Sequence, residues 1–113
     1  MVSSGRDIDI IRNVKTIDQL KSQMLSDVAT LHKALLEDSE EGQGHGIPDK
    51  LAGIILTSYL LGNRLGVGFE EVEAKISRNI KLGIIENSDI EKYYGDLSEL
   101  SKHLDLARLT RGR

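Results

Sequence analysis

The sequence predicts an all-α fold, a four-helix bundle completed by dimerisation. Two observations carry this. A single proline in 113 residues leaves long stretches free of helix-breaking rings. Apolar residues recur at steps of three and four along most of the chain, the spacing of one helical face. With one Phe, three Tyr and no Trp, the core has to be built from Leu, Ile and Val. A chain that is 39% hydrophobic and 29% charged fits one globular domain and excludes a disordered tail. The absence of cysteine excludes a disulfide scaffold, a thiolate zinc site and a cysteine nucleophile. A net charge of −3 gives no general attraction to nucleic acid or anionic lipid. The polar N-terminus shows no secretory signal, so a cytoplasmic protein without a membrane partner is expected.

The elements follow in chain order. Residues 1–15 form an N-terminal arm in which Asp7-Ile8-Asp9-Ile10 alternates like a strand, while Ile10, Ile11 and Val14 equally begin a helix. Thr16 is placed to cap the first firm helix. Its inward stripe is Ile17, Leu20, Met24, Val28, Leu31 and Leu35, and it ends near Glu37. Residues 37–47 read as a solvated linker, acidic first and then carrying Gly42, Gly44 and Gly46. Pro48 opens a second helix from its first turn. From Leu51 to Leu61 that helix is apolar or small all round, so it needs cover on more than one side. A second copy of the chain is the expected cover, as a homodimer or a dimer of dimers, with Ile55 and Tyr59 in the interface. Gly53 and Thr57, one turn apart, allow another helix to come close.

Gly66 and Gly68 make the next turn. A third helix over 69–82 turns Phe69, Val72, Ile76 and Ile80 inward, with Gly83 placed to stop it. Ser88-Asp89-Ile90-Glu91 has the spacing of a capping box. Gly95 interrupts, and Asp96-Leu97-Ser98-Glu99 offers a second start, with Leu97, Leu100 and Leu104 as the buried stripe. The helical domain is expected over 16–106, followed by a basic tail at 107–113.

Little of the familiar catalytic repertoire is present. His32, His45 and His103 have no serine in a strained glycine-flanked elbow to serve. The stretch from Gly62 to Gly68 is glycine-rich but lacks the Lys-Ser/Thr of a phosphate loop, and reads as a helix stop. A helix-turn-helix around the same glycines lacks a dense basic recognition face, so nucleic acid is not an expected partner. His45 among glycines and acids reads as a casual surface metal contact.

The order of elements, with Lys50-Leu51-Ala52-Gly53-Ile54-Ile55, then Leu61-Gly62-Asn63-Arg64-Leu65-Gly66, then Ile90-Glu91-Lys92-Tyr93-Tyr94-Gly95-Asp96-Leu97, resembles the MazG-like all-α nucleotide pyrophosphohydrolases. The likeness is to a compact subfamily and covers roughly residues 14 to 105. It implies a nucleoside triphosphate as partner, hydrolysed to monophosphate and pyrophosphate, with magnesium as cofactor where catalysis is competent. In catalytic members two helices each present a carboxylate pair, E-x-x-E and E-x-x-D. Residues three or four apart share a helix face, and four inward carboxylates hold the metal.

Against that pattern the acidic metal motif is mostly lost. Ser26-Asp27-Val28-Ala29-Thr30-Leu31 stands where the family reads Glu-Glu-x-Gly-Glu-Leu. Asp49-Lys50-Leu51-Ala52-Gly53 stands where Glu-Glu-Leu-Ala-Asp is usual. Asp27 and Asp49 are the residual metal candidates, with Glu37 a further one. Asp27 read by itself is an ordinary exposed helical carboxylate. The third helix stays closer to the family: Lys75, Asn79 and Lys81 match its phosphate-contacting pattern, and Arg78 adds a guanidinium suited to phosphate. The same residues also read as a solvated face with cations at the helix C-terminus. Tyr93 and Tyr94 read as packed rings with hydroxyls at the rim, or as a stacking surface for a base.

Two functions follow. One is nucleotide or phosphate binding with catalysis weakened or lost. The other is a non-catalytic helical module that assembles with itself and binds a protein partner.

Overall fold

The computed structural model describes residues 4–36 and 46–111. Five helices run in order: α1 (Ser4–Leu36), α2 (Ile47–Arg64), α3 (Phe69–Ile85), α4 (Asp89–Tyr94) and α5 (Asp96–Arg111). No strand occurs among the described residues, as an all-α fold requires. The linker at 37–47 lies outside the described residues up to 45, and Glu37 and His45 lie outside them with it. The same holds for the side chains of 106–113, the basic tail among them. None of the helices is long and apolar enough to cross a membrane, among the described residues.

The chain divides into two compact units, 1–69 and 70–113. The first is an antiparallel pair, α1 against α2. Residues 4–15 belong to α1, so the open choice between strand and helix falls to helix. Thr16 is no cap. It lies inside α1, and its hydroxyl donates to the Arg12 carbonyl at 2.8 Å. At about 1.5 Å per residue, α1 with its 33 residues is nearly twice as long as α2 with 18. Asn13 Nδ2 donates to the Arg64 carbonyl at 3.3 Å, which marks where α2 ends along α1. Ile8, Ile10 and Ile11 lie N-terminal to that level and stay exposed.

The seam between the two helices has a seven-residue rhythm. On α1 Asn13, Ile17, Leu20, Met24, Asp27, Leu31 and Ala34 are covered at alternating steps of four and three, with Thr16 half-buried beside Ile17. On α2 Ile47, Lys50, Ile54, Thr57 and Leu61 keep the same rhythm, with Gly53, Ser58, Tyr59 and Gly62 half-buried beside them. That is the period of a coiled-coil seam. It corrects the sequence expectation at two places: Val28 and Leu35 are exposed, and Asp27 and Ala34 take the seam instead. The expected stripe leaves the seam only where it steps by four in place of three, from Met24 to Val28 and from Leu31 to Leu35.

Helix ends are set by backbone geometry. α2 closes in a Schellman motif: Val67 N donates to Gly62 O at 2.8 Å and Gly66 N to Asn63 O at 3.2 Å, with Gly66 at φ 89°. The glycine-rich stretch is therefore a helix stop, as its sequence indicates. α3 runs past Gly83, against expectation. Ser88 N donates to Gly83 O and Asn87 N to Ile84 O, with Asn87 at φ 53°, so the same motif falls four residues later. Asn is the residue that best stands in for glycine in that conformation. Gly83 serves packing instead, because a Cβ there would lie 2.4 Å from Leu97 Cδ1.

Gly95, at φ 68°, ends α4 and turns the chain into α5. The expected capping box at Ser88 does not form: Ser88 makes no side-chain cap bond. Glu91 turns forward instead. Its Oε1 accepts from Leu97 N at 2.9 Å and Ser98 N at 3.1 Å, and its Oε2 accepts from the Ser98 hydroxyl. One carboxylate thus satisfies two of the free donors at the start of α5, where negative charge is also favoured by the helix dipole. Val72, Ile76 and Ile80 turn inward as expected, with Ile80 the most covered, while Phe69 is exposed and meets Tyr59 edge-on at 6.1 Å. Leu97 is half-buried, but Leu100 and Leu104 remain partly exposed.

The Ser98 hydroxyl and the two backbone donors hold the Glu91 carboxyl below its ordinary value of 4.5. A carboxyl lowered by folding adds stability above its unfolded pKa and loses it as pH falls through the folded one. Glu91→Ala should therefore lower the unfolding midpoint at neutral pH. The gap to the unaltered protein should close as pH drops below about 4.5. Thermal melts followed by circular dichroism across that range check both.

Candidate functional site

Asp27 is the one buried carboxylate among the described residues, 6% exposed, and with it the expectation of an ordinary surface aspartate is corrected. The reason is its heptad position, which points at α2 rather than at water. A carboxylate so placed needs partners, since desolvation without them is costly. It has two on Oδ1. Gln23 Nε2, one turn earlier on α1, donates at 2.9 Å. Lys50 Nζ, from the facing seam position on α2, stands at 3.8 Å. That distance is an ion contact rather than a hydrogen bond. The Lys50 side chain keeps 36% of its surface, against 9% for Asp27, so its stem follows the seam and its head reaches water.

The other oxygen faces Gly53. A Cβ built on Gly53 would lie 3.0 Å from Asp27 Oδ2, tighter than ordinary contact. The close approach expected at Gly53 and Thr57 therefore happens within the chain, against α1, and Thr57 is buried there at 5%. Three of the positions at which the family resemblance places metal-holding carboxylates, 27, 50 and 53, thus come together. They bring one acid, one ammonium and one bare backbone. Thr30 is exposed on α1, and Asp49 is exposed on the first turn of α2. No group of three or more His, Cys, Asp or Glu side chains is placed to hold a metal among the described residues.

Magnesium demands about six oxygens near 2 Å in octahedral order. One carboxylate, with an amide donor and an ammonium already on the same oxygen, does not meet that demand. The donor set beside α2 does not fit the ion.

The anion candidates separate in the second unit. Arg78 and Lys81 line a groove along α3 with Glu70, Glu73, Ala74, Ser77 and Leu82. Lys75 and Asn79, one turn apart, are exposed but do not line it. The groove is therefore mixed in charge: acidic at the N-terminal end of α3, basic toward its C-terminal half. Tyr93 and Tyr94 are both largely exposed, so neither is packed as expected. Lys92 Nζ lies 5.4 Å from the Tyr93 ring centroid. Ile55 is exposed on α2 and Tyr59 is half-buried.

Sequence reasoning missed Gln23 and the function of Glu91. Gln23 was legible as the residue one turn before Asp27. Glu91 was not, because its partners come back to it only through the turn at Gly95.

A family model described as the MazG-like family matches residues 10–97. No curated protein and no solved structure matches the chain.

Replacing Gly53 with Val should push branched carbon into Asp27 and loosen the hairpin. A loss of about 1–3 kcal/mol is expected for such overpacking. Urea unfolding of the two proteins measures it.

Proposed function

This chain belongs to the MazG-like family, and we propose that it is a nucleotide- or phosphate-binding member with little or no pyrophosphohydrolase activity. The observation that carries this reading is the partner of the buried Asp27: a lysine, where metal-driven hydrolysis needs further carboxylates. Hydrolysis of a triphosphate in the family manner calls for a divalent ion that screens phosphate charge and lowers the pKa of a water. The described residues provide no such set of ligands.

Binding makes a smaller demand. Arg78 and Lys81 share the groove on α3, and guanidinium and ammonium groups both pair with phosphate oxygens. Glu70 and Glu73 in the same groove disfavour phosphate at its acidic end, which favours the Lys81 end for the proposed anion. Lys75 and Asn79 contribute charge and polarity on a neighbouring face. Residual metal contact at Asp49 or Glu37 remains part of the proposal only as an aid to binding.

A second reading has its own observation. On α2 the side chains of Leu51, Ile55, Leu56 and Leu60 are exposed, and on α1 so are Leu25, Val28, Leu35 and Leu36. Two-helix hairpins with such faces are covered when they pair into four-helix assemblies. Self-association through α2, as a homodimer or a dimer of dimers, is thus the proposed assembly. It also suits a non-catalytic module that holds a protein partner.

Calorimetric titration with nucleoside triphosphates, with and without magnesium, tests the first reading. Heat without pyrophosphate release is the expected outcome. The variant Arg78→Ala/Lys81→Ala should bind roughly tenfold or more weakly, since charged hydrogen bonds contribute about 1.5–3 kcal/mol each. Silence at millimolar nucleotide would remove the reading. For the assembly, Ile55→Asp should shift the protein to a lower mass by light scattering, whereas a monomeric unaltered chain would contradict it.

A further inference from the structure

We propose that Lys50 is a resident cation: its ammonium takes, within the chain, the charge-neutralising place beside Asp27 that a divalent ion would otherwise fill. The α1–α2 hairpin is then locked without metal. The claim concerns the seam alone and is separate from phosphate binding on α3.

Four residues make the arrangement, each from a different need. The Asp27 carboxylate is buried and has to be compensated. Lys50 supplies the charge at 3.8 Å and Gln23 the hydrogen bond at 2.9 Å, both on Oδ1. Gly53 leaves the space into which Oδ2 fits, because any side chain there would begin 3.0 Å from that oxygen. Lys50 and Gly53 are three residues apart and so lie on one face of α2. An incoming divalent ion would meet an oxygen already shared by an amide and an ammonium. It would have to displace the ammonium, and among the described residues no group of three or more His, Cys, Asp or Glu side chains is placed to receive it.

The pairing also fixes alignment. Asp27 and Lys50 both occupy heptad seam positions otherwise held mostly by apolar or small residues. A slide of α2 by one turn would set Asp27 against apolar neighbours and leave its charge bare. A single polar pair in a helix seam is a known way of selecting one register among several.

The test uses the full chain, without nucleotide, so its failure is distinguishable from failure of the phosphate-binding reading. Thermal unfolding is followed with chelator, with magnesium and with manganese. Manganese broadening of backbone amide signals is read in parallel. The unaltered protein should melt at the same temperature in all three conditions, with no broadening centred on Asp27. Lys50→Met, which keeps the stem and removes the charge, should lower the midpoint. The double variant Asp27→Asn/Lys50→Met should recover much of that loss, because no bare charge remains. If Lys50→Met does not fold, the double variant and the metal titration of the unaltered protein still decide. A midpoint that rises with either ion in the unaltered protein, and no longer does so in Asp27→Asn, overturns the proposal. So does a Lys50→Met variant as stable as its parent.

Discussion

A buried carboxylate that must find a positive partner organises the first unit of this protein. Asp27 lies in the seam between α1 and α2, where a coiled pair would ordinarily place an aliphatic side chain. Its compensation by Lys50 and Gln23, and its fit against Gly53, tie the identity of four residues on two helices to one another. Apart from Asn13 at one end and Thr57, the rest of the seam is apolar and offers less to fix its alignment. Separating the polar pair leaves a charge out of water.

The second unit is governed by turns. Asn87 ends α3 and Gly95 ends α4, each in a left-handed conformation. The chain then brings the start of α5 back to Glu91, which caps it from the preceding helix. Gly83 admits Leu97 at a distance that no Cβ allows. Arg78 and Lys81, three residues apart on α3, line one open groove by helix spacing alone.

The chemistry of the seam and the family membership pull in different directions, and the contrast is informative. The chain keeps the helices of the MazG-like family over residues 10–97. It carries a lysine and a glycine where the resemblance calls for acids. The two can part company, because packing depends on shape and period while a metal site depends on a few oxygens.

How much was legible in the sequence differs by level. Helical class, the stop at Gly66, the start at Pro48 and the break at Gly95 follow from local rules, and local rules are what a sequence displays. The motif comparison also showed that positions 27, 30, 50 and 53 no longer supply four carboxylates. Sequence could not say that Asp27 is buried, since a single position along α1 separates it from the exposed Val28, and only the facing helix decides which of the two is covered. Nor could it pair Lys50 with Asp27 or Glu91 with the start of α5. Those partners are distant or lie across a turn, and their meeting depends on how α2 runs back along α1 and how Gly95 turns the chain. Periodicity along one helix determined the elements, and the charge that each buried group needed from another element was decided by tertiary contact alone.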